Sequence, residues 1–343
     1  MFETFIQNLQ SNAPFITVEV NPPHGASLDP VIEKIKASNL VDKISGFSCT
    51  DNPLAKLKMS GVLSAIKVQQ TFHKPVIATM SMRDKNKLSL QSSLLGANDF
   101  DLRAVLALTG DPAKFSDQPE VKGVLERDST LLLSIIYHLN KGVDYSNKPL
   151  DPVPKPIYPF AVSNAYAKDM RNLQKRIVKK LDYGARAIFT QPVYDPENAK
   201  ELLELYEEAK TLSVRDTAKD AQLVLGQFPI VRAKTANFID DKVPGISVPK
   251  TIIDEMNLAQ MDGEEKEQEV GFALSKRIFD EIMRVHGKVH LMTHNRFDLC
   301  SELIGSIVFK EPYTPTNKKT QTRTHQSGHR SGTEDRWAAH RPA

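Results

Sequence analysis

MRNLQKRIVKKLDYGARAIFTQPVYDPENAKELLELYEEAKTL, residues 170–212, holds one full unit of the plan on which this chain is built. Apolar residues recur at three- and four-residue steps in 170–181, the period of a helix with one buried stripe. The stripe stops near Gly184, as a helix should. RAIFTQPV (186–193) is then a short apolar run, and PENAKELLELYEEAKTL (196–212) returns to the helical period. Helix, strand and helix joined this closely make a parallel βα unit.

Outward from that unit the pattern repeats in both directions. Strands are expected at FITVEV (15–20), KISGFSC (43–49), PVIATMSM (75–82), RAVLALTG (103–110), PIYPFAVS (156–163), RAIFTQPV (186–193), QLVLGQFP (222–229) and KVHLMTH (288–294). Amphipathic stretches such as DPVIEKIKASNL (29–40) separate them. Eight such units fit an α/β protein of the (β/α)8 TIM barrel class, one catalytic domain over residues 1–312. An open doubly wound sheet is the alternative, but no GxGxxG follows the first strand to support it. The last stretch, 313–343, is polar and carries six basic residues (Lys318, Lys319, Arg323, Arg330, Arg336, Arg341) against Glu334 and Asp335. It is expected to be a disordered tail.

That tail accounts for the formal charge of +3, so the barrel portion is close to neutral and nucleic-acid binding is not expected of it. No apolar run approaches the roughly 18 residues of a membrane span, and MFETFIQNLQ has no secretory signature, so no membrane partner and a cytoplasmic location are expected. Cys49 and Cys300 are far apart and form no CxxC. His286, His290 and His294 are spaced by four but straddle a glycine and a strand, so no metal is expected either.

In a TIM barrel, chemistry collects where the strands end. Glu19, a carboxylate in an otherwise apolar strand, is near the end of the first. Burying it costs several kcal/mol or raises its pKa, by up to about 3–5 units when desolvation is complete. A proton donor for neutral pH needs that rise; pairing with a base in a structural network is the other reading. Ser48 is near the end of the second strand, Thr79 on the third, Asp111 after the fourth, Gln191 on the sixth, and Asn295 and Arg296 after the eighth.

With these residues in view, the motifs TVEVNPP, MSMRDKN, ALTGDPAK, LNKGVDYSNKPL, KKLDYGARAIFTQPVYD, VPGISVP and VHLMTHNR resemble, in order, the methylenetetrahydrofolate reductase family. The likeness runs from about residue 13 to about 309 and is greatest to the reductase half of bacterial enzymes fused to a homocysteine methyltransferase. It implies an FAD enzyme reducing 5,10-methylenetetrahydrofolate to 5-methyltetrahydrofolate, with NADH or NADPH as electron donor. Glu19 is then the general acid, and Asp111 meets both folate and flavin. Gln191, Arg296 and Phe238 bind substrate. Ser48, Thr79, Thr109, Gly110, Asp111, Ala161, Ser163 and Lys180 contact FAD, with Lys180 on the diphosphate. The resemblance also implies self-association or a partner subunit.

The residues by themselves allow other roles. Asp111 could cap a turn, Gln191 could be a satisfied core amide, and Arg296 could form an ion pair at a helix start. Lys180 could lie on a solvated helix face, and Phe238 in the core. A flavin-free or non-catalytic folate-binding barrel is the alternative function. Asn21 in VEVNPP stands where many relatives carry an aromatic beside the acid.

Overall fold

The computed structural model describes residues 1–243 and 245–305. The tail expected over 313–343 lies outside the described residues. Eight parallel strands close into a barrel in sequence order: β1 (Phe15–Val20), β2 (Gly46–Cys49), β3 (Val76–Ser81), β4 (Ala104–Leu108), β5 (Tyr158–Ser163), β6 (Ala187–Pro192), β7 (Gln222–Gln227) and β8 (Lys288–Leu291). Closure is direct, with Phe15 opposite Lys288 and Val18 opposite Leu291. The open doubly wound alternative is thereby excluded, since a closed ring has no edge strands.

Helix α1 (Phe2–Gln10) precedes the barrel. It is followed by α2 (Asp29–Ala37), α3 (Gly61–Phe72), α4 (Lys87–Asp99), α5 (Thr130–Asn140), α6 (Met170–Asp182), α7 (Pro196–Leu212), α8 (Ala233–Lys242), α9 (Lys250–Met261), α10 (Glu264–Val285) and α11 (Phe297–Ile304). The stretch 170–212 shows why they form. Leu173, Ile177 and Leu181 make the buried stripe of α6, and each is worth about 1.5–3 kcal/mol when removed from water. Asp169 accepts from the amides of Arg171 and Asn172 at the start of α6, and Asp195 from Glu197 at the start of α7. Each cap contributes about 1 kcal/mol. Gly184, at φ +89°, ends α6 in the left-handed conformation that side chains resist.

Strand alternation divides the core into two layers. Ile16, Val18 and Val20 of β1 face outward to the helices, as do Val76, Ala78 and Met80 of β3. Phe15, Ile77, Leu106, Phe160, Phe189 and Val224 fill the barrel interior. Phe2, Phe5, Ile6 and Leu9, on one face of α1, belong to that interior cluster and plug the barrel at its lower end. The far, C-terminal end is left for polar groups.

All the expected strands but the first are shorter than the sequence suggested, β2 and β8 for visible reasons. Val41–Lys43 turns as a short 3-10 helix, so β2 begins at Gly46. His294 and Asn295 take φ +50° and +65°, which breaks the extended chain beyond β8. No helix among the described residues is long and apolar enough to cross a membrane.

Candidate functional site

Glu19 is the second-last residue of β1 and pairs in register with Ser48 on β2. Its side chain points up the barrel interior and keeps a partial opening at the mouth. The surrounding walls exclude enough water to push its pKa up to about 7, with burial the larger cause and a hydrogen bond from Asn21 opposing it. No basic residue pairs with it among the described residues, so the structural ion-pair reading does not hold. The donor is Asn21 Nδ2, 3.0 Å from Oε1.

Asp111 lies beyond β4, after Gly110, whose φ of +93° turns the chain. A Cβ on Gly110 would sit 2.1 Å from Ser81 Oγ, so glycine is required there twice over. Asp111 does not cap its own turn: the position before the following 3-10 helix is Pro112, and Asp111 Oδ2 accepts from the Leu54 amide at 2.7 Å. Asn52, Leu54 and Ala55 hold φ of +44°, +54° and +58° to present that amide. Such conformations cost about 1–2 kcal/mol per residue. Arg83 binds the loops together, donating to the carbonyls of Asn52 and Asp111 and to the Asp84 carboxylate, which raises the guanidinium's pKa. Beside it, Asp51 Oδ2 accepts from the Ser81 amide and from Lys85 Nζ. This cluster was not singled out from the sequence. A buried arginine in MSMRDKN is recognisable only once its carbonyl partners are known.

Ser48, Thr79 and Ser163 are buried residues near the ends of β2, β3 and β5, and none of their hydroxyls has a hydrogen-bond partner among the described residues. Gln191, on the irregular stretch where β6 meets β7, likewise carries an unpartnered side-chain amide, so it is not a satisfied core amide. Thr109 is exposed and accepts from the Ser129 amide at 3.3 Å. Ala161 is wholly buried in the outer apolar layer, so only its backbone can meet a ligand. Arg296 is exposed at the N-cap of α11 and has no ion pair among the described residues. Phe238 is 54% exposed on α8, away from any core.

Lys180 departs from the solvated face its run RIVKK suggested. Its ammonium turns inward and donates to the Val162 carbonyl. Burial lowers its pKa to about 8, with nearby Asp128 opposing and Arg176 and Lys179 adding to the fall.

The three histidines have separate partners. His286 Nε2 is 2.7 Å from the Leu223 carbonyl, His290 Nδ1 is 2.9 Å from Thr17 Oγ1, and His294 stands edge-on to Phe228. Among the described residues, no group of three or more His, Cys, Asp or Glu could hold a metal ion.

The mouth thus gathers one acid without a basic partner and with a pKa near neutrality, a second acid anchored by a backbone amide, an amide and a guanidinium at its rim, and hydroxyls without hydrogen-bond partners among the described residues. Such a set can give a proton and grip a polar heterocycle.

A family model described as methylenetetrahydrofolate reductase matches residues 4–307. No curated protein matches the chain. Among solved structures, it is similar to an uncharacterized protein from Clostridium thermocellum whose description says that it binds two copies of 5-methyl-5,6,7,8-tetrahydrofolic acid. That likeness is at 15% identity over 89% of this chain and 99% of that one, with a TM-score of 0.56. It is also similar to EDTA monooxygenase from Chelativorans sp. BNC1, at 11% identity over 86% of this chain and 92% of that one, with a TM-score of 0.50. At these identities the two structures speak for the fold alone.

Proposed function

The chain belongs to the methylenetetrahydrofolate reductase family, and from that premise we propose that it reduces 5,10-methylenetetrahydrofolate to 5-methyltetrahydrofolate, using FAD and NADH or NADPH. The observation that carries the reading is Glu19: an acid at the barrel mouth, without a basic partner, whose pKa of about 7 leaves it protonated near neutrality. A folate is also what the Clostridium thermocellum protein of the same fold is described as binding.

The polar inventory of the mouth suits a flavin. The hydroxyls of Ser48, Thr79 and Ser163, near the ends of β2, β3 and β5, have no hydrogen-bond partner among the described residues and can donate to or accept from a ligand. A ligand with many acceptors fits that donor set. These residues, with the backbone at Thr109, Gly110 and Ala161, would hold the cofactor, and Lys180 would serve its diphosphate on leaving the Val162 carbonyl. The chemistry that FAD would supply there, when bound, is hydride transfer between the pyridine nucleotide and the folate carbon.

The residues of the chain do the rest. Glu19 gives its proton to the folate nitrogen at the methylene bridge, so that the bridge opens to an iminium able to accept hydride. General acid help of this kind is worth about 10²–10⁴ in rate. Gln191 presents an amide that both donates and accepts against the pterin edge. Asp111, held by Leu54, sets a negative charge beside the heterocycles and so biases the cofactor's electronics. Arg296 at the rim suits the folate carboxylates, and exposed Phe238 offers a stacking face.

The test is anaerobic visible spectroscopy of the purified protein with FAD. A flavin spectrum that bleaches with NADH or NADPH and returns on adding methylenetetrahydrofolate is expected. A protein that takes up no FAD, or a reduced flavin that folate leaves bleached, would refute the proposal.

A further inference from the structure

Asn21 follows Glu19 by two residues, so the two side chains leave the chain on the same side. Its amide is engaged at both ends. Nδ2 donates to Glu19 Oε1 at 3.0 Å, and Oδ1 accepts from Thr50 Oγ1 at 3.0 Å. A carboxylate only accepts, so the end that faces an ionised Glu19 must be the NH2, and the rotatable Thr50 hydroxyl serves the oxygen that remains. The Asn21 backbone is clamped as well: its N–H donates to Asn295 Oδ1 and its carbonyl accepts from Asn295 Nδ2, both at 2.8 Å. Glu19 Oε2 has no partner among the described residues.

We propose that Asn21 is the positioning residue of the acid: by occupying Glu19 Oε1 it leaves the transferable proton on the unpartnered Oε2, and it stabilises the carboxylate that remains after transfer. The proposal rests on Glu19 being the acid of the reaction above. In the step the Oε2–H bond breaks and an N–H bond forms on the folate. The negative charge left on Glu19 is shared with the Asn21 N–H, and no electron changes hands.

The titratable groups around Glu19 are Cys49 on β2, Cys300 on α11, and His290 on β8, one layer lower in the barrel. Burial pushes both thiols up, Cys300 to about 12, and the charge of Glu19 adds to the rise. Burial lowers His290 to about 4 and also lowers His294, in the loop beyond β8, where Lys58 contributes. Through the neutral range both thiols and His290 stay uncharged, so Asn21 is the neighbour that tunes Glu19.

The test reads Glu19 itself. In protein carrying 13C at the glutamate carboxyls, the Glu19 signal is the one absent from Glu19→Gln, and its titration midpoint is followed in wild type, Asn21→Leu and Thr50→Val. Removing the donor in Asn21→Leu should raise the midpoint by about one pH unit, a tenfold fall in the ionisation constant, since a hydrogen bond to a charged group is being lost. Thr50→Val, which frees the amide to turn, should raise it about threefold in the same constant. The alkaline limb of folate-dependent flavin reoxidation should rise with the midpoint in both variants. A midpoint unmoved in both overturns the proposal, and Thr50→Val decides alone if Asn21→Leu does not fold. A midpoint that moves in a protein that turns over no folate would sustain the role of Asn21 and refute the reductase reading instead.

Discussion

Glu19→Gln should make the protein more stable at alkaline pH and leave it unchanged in acid. Glutamine keeps the shape of the side chain and can still accept from Asn21 Nδ2, so the change removes a charge and little else. The folded protein holds the Glu19 proton up to a pKa of about 7, while the unfolded chain loses it near 4.5. Between those values the folded state binds more protons than the unfolded one, so wild-type stability falls as pH rises and levels off above about 7. The interval from 4.5 to about 7, at about 1.4 kcal/mol per pH unit, comes to about 3.5 kcal/mol. Water entering at the partly open mouth trims this to about 2 kcal/mol. Urea unfolding of both proteins at pH 4 and pH 8.5 measures it, with equal slopes required for the comparison. The two midpoints should nearly coincide at pH 4, below the unfolded pKa, and the variant should lead at pH 8.5. A gap of the same size at both pH values would show that Glu19 is not held protonated by burial.

Two further substitutions separate the site from the scaffold. Asp111→Asn keeps an oxygen for the Leu54 amide, so stability should stay within about 0.5 kcal/mol of wild type. The lost charge should still shift the flavin midpoint potential and weaken folate binding, and an unchanged potential with unchanged affinity would remove Asp111 from the site. Phe5→Ala empties a buried position in the plug, 5.1 Å from the Phe15 ring, and should cost about 3–5 kcal/mol in urea unfolding. Folate affinity measured well below the unfolding transition should be unaffected; a large loss would mean that the plug and the mouth are coupled.

The barrel was legible because its signal is repeated. β1 and the strand within 170–212 stand out as short apolar runs between helical periods, and closure follows from eight such units in order. Strand ends were less legible where a local conformation overrides composition, as in the 3-10 turn before β2 and the left-handed pair His294 and Asn295. The plug had a readable signature, Phe2, Phe5, Ile6 and Leu9 at helical spacing, but a short amphipathic stretch does not say which surface it covers.

In the site, Glu19 was conspicuous because an acid in an apolar strand demands a reason. Asn21 stood out only as a departure from an aromatic, since its value lies in two hydrogen bonds that depend on rotamers and on Thr50, far along the chain. Lys180 misled for a related reason. Its neighbours in RIVKK are those of a solvated face, while the carbonyl it seeks belongs to a different element.

The most direct test of Glu19 as the acid is to time the two half-reactions separately in Glu19→Gln by stopped-flow absorbance. Flavin reduction by NADH or NADPH should stay within a few-fold of wild type, while reoxidation by methylenetetrahydrofolate should slow by at least about 10². Reoxidation that survives within a few-fold of wild type would contradict the account.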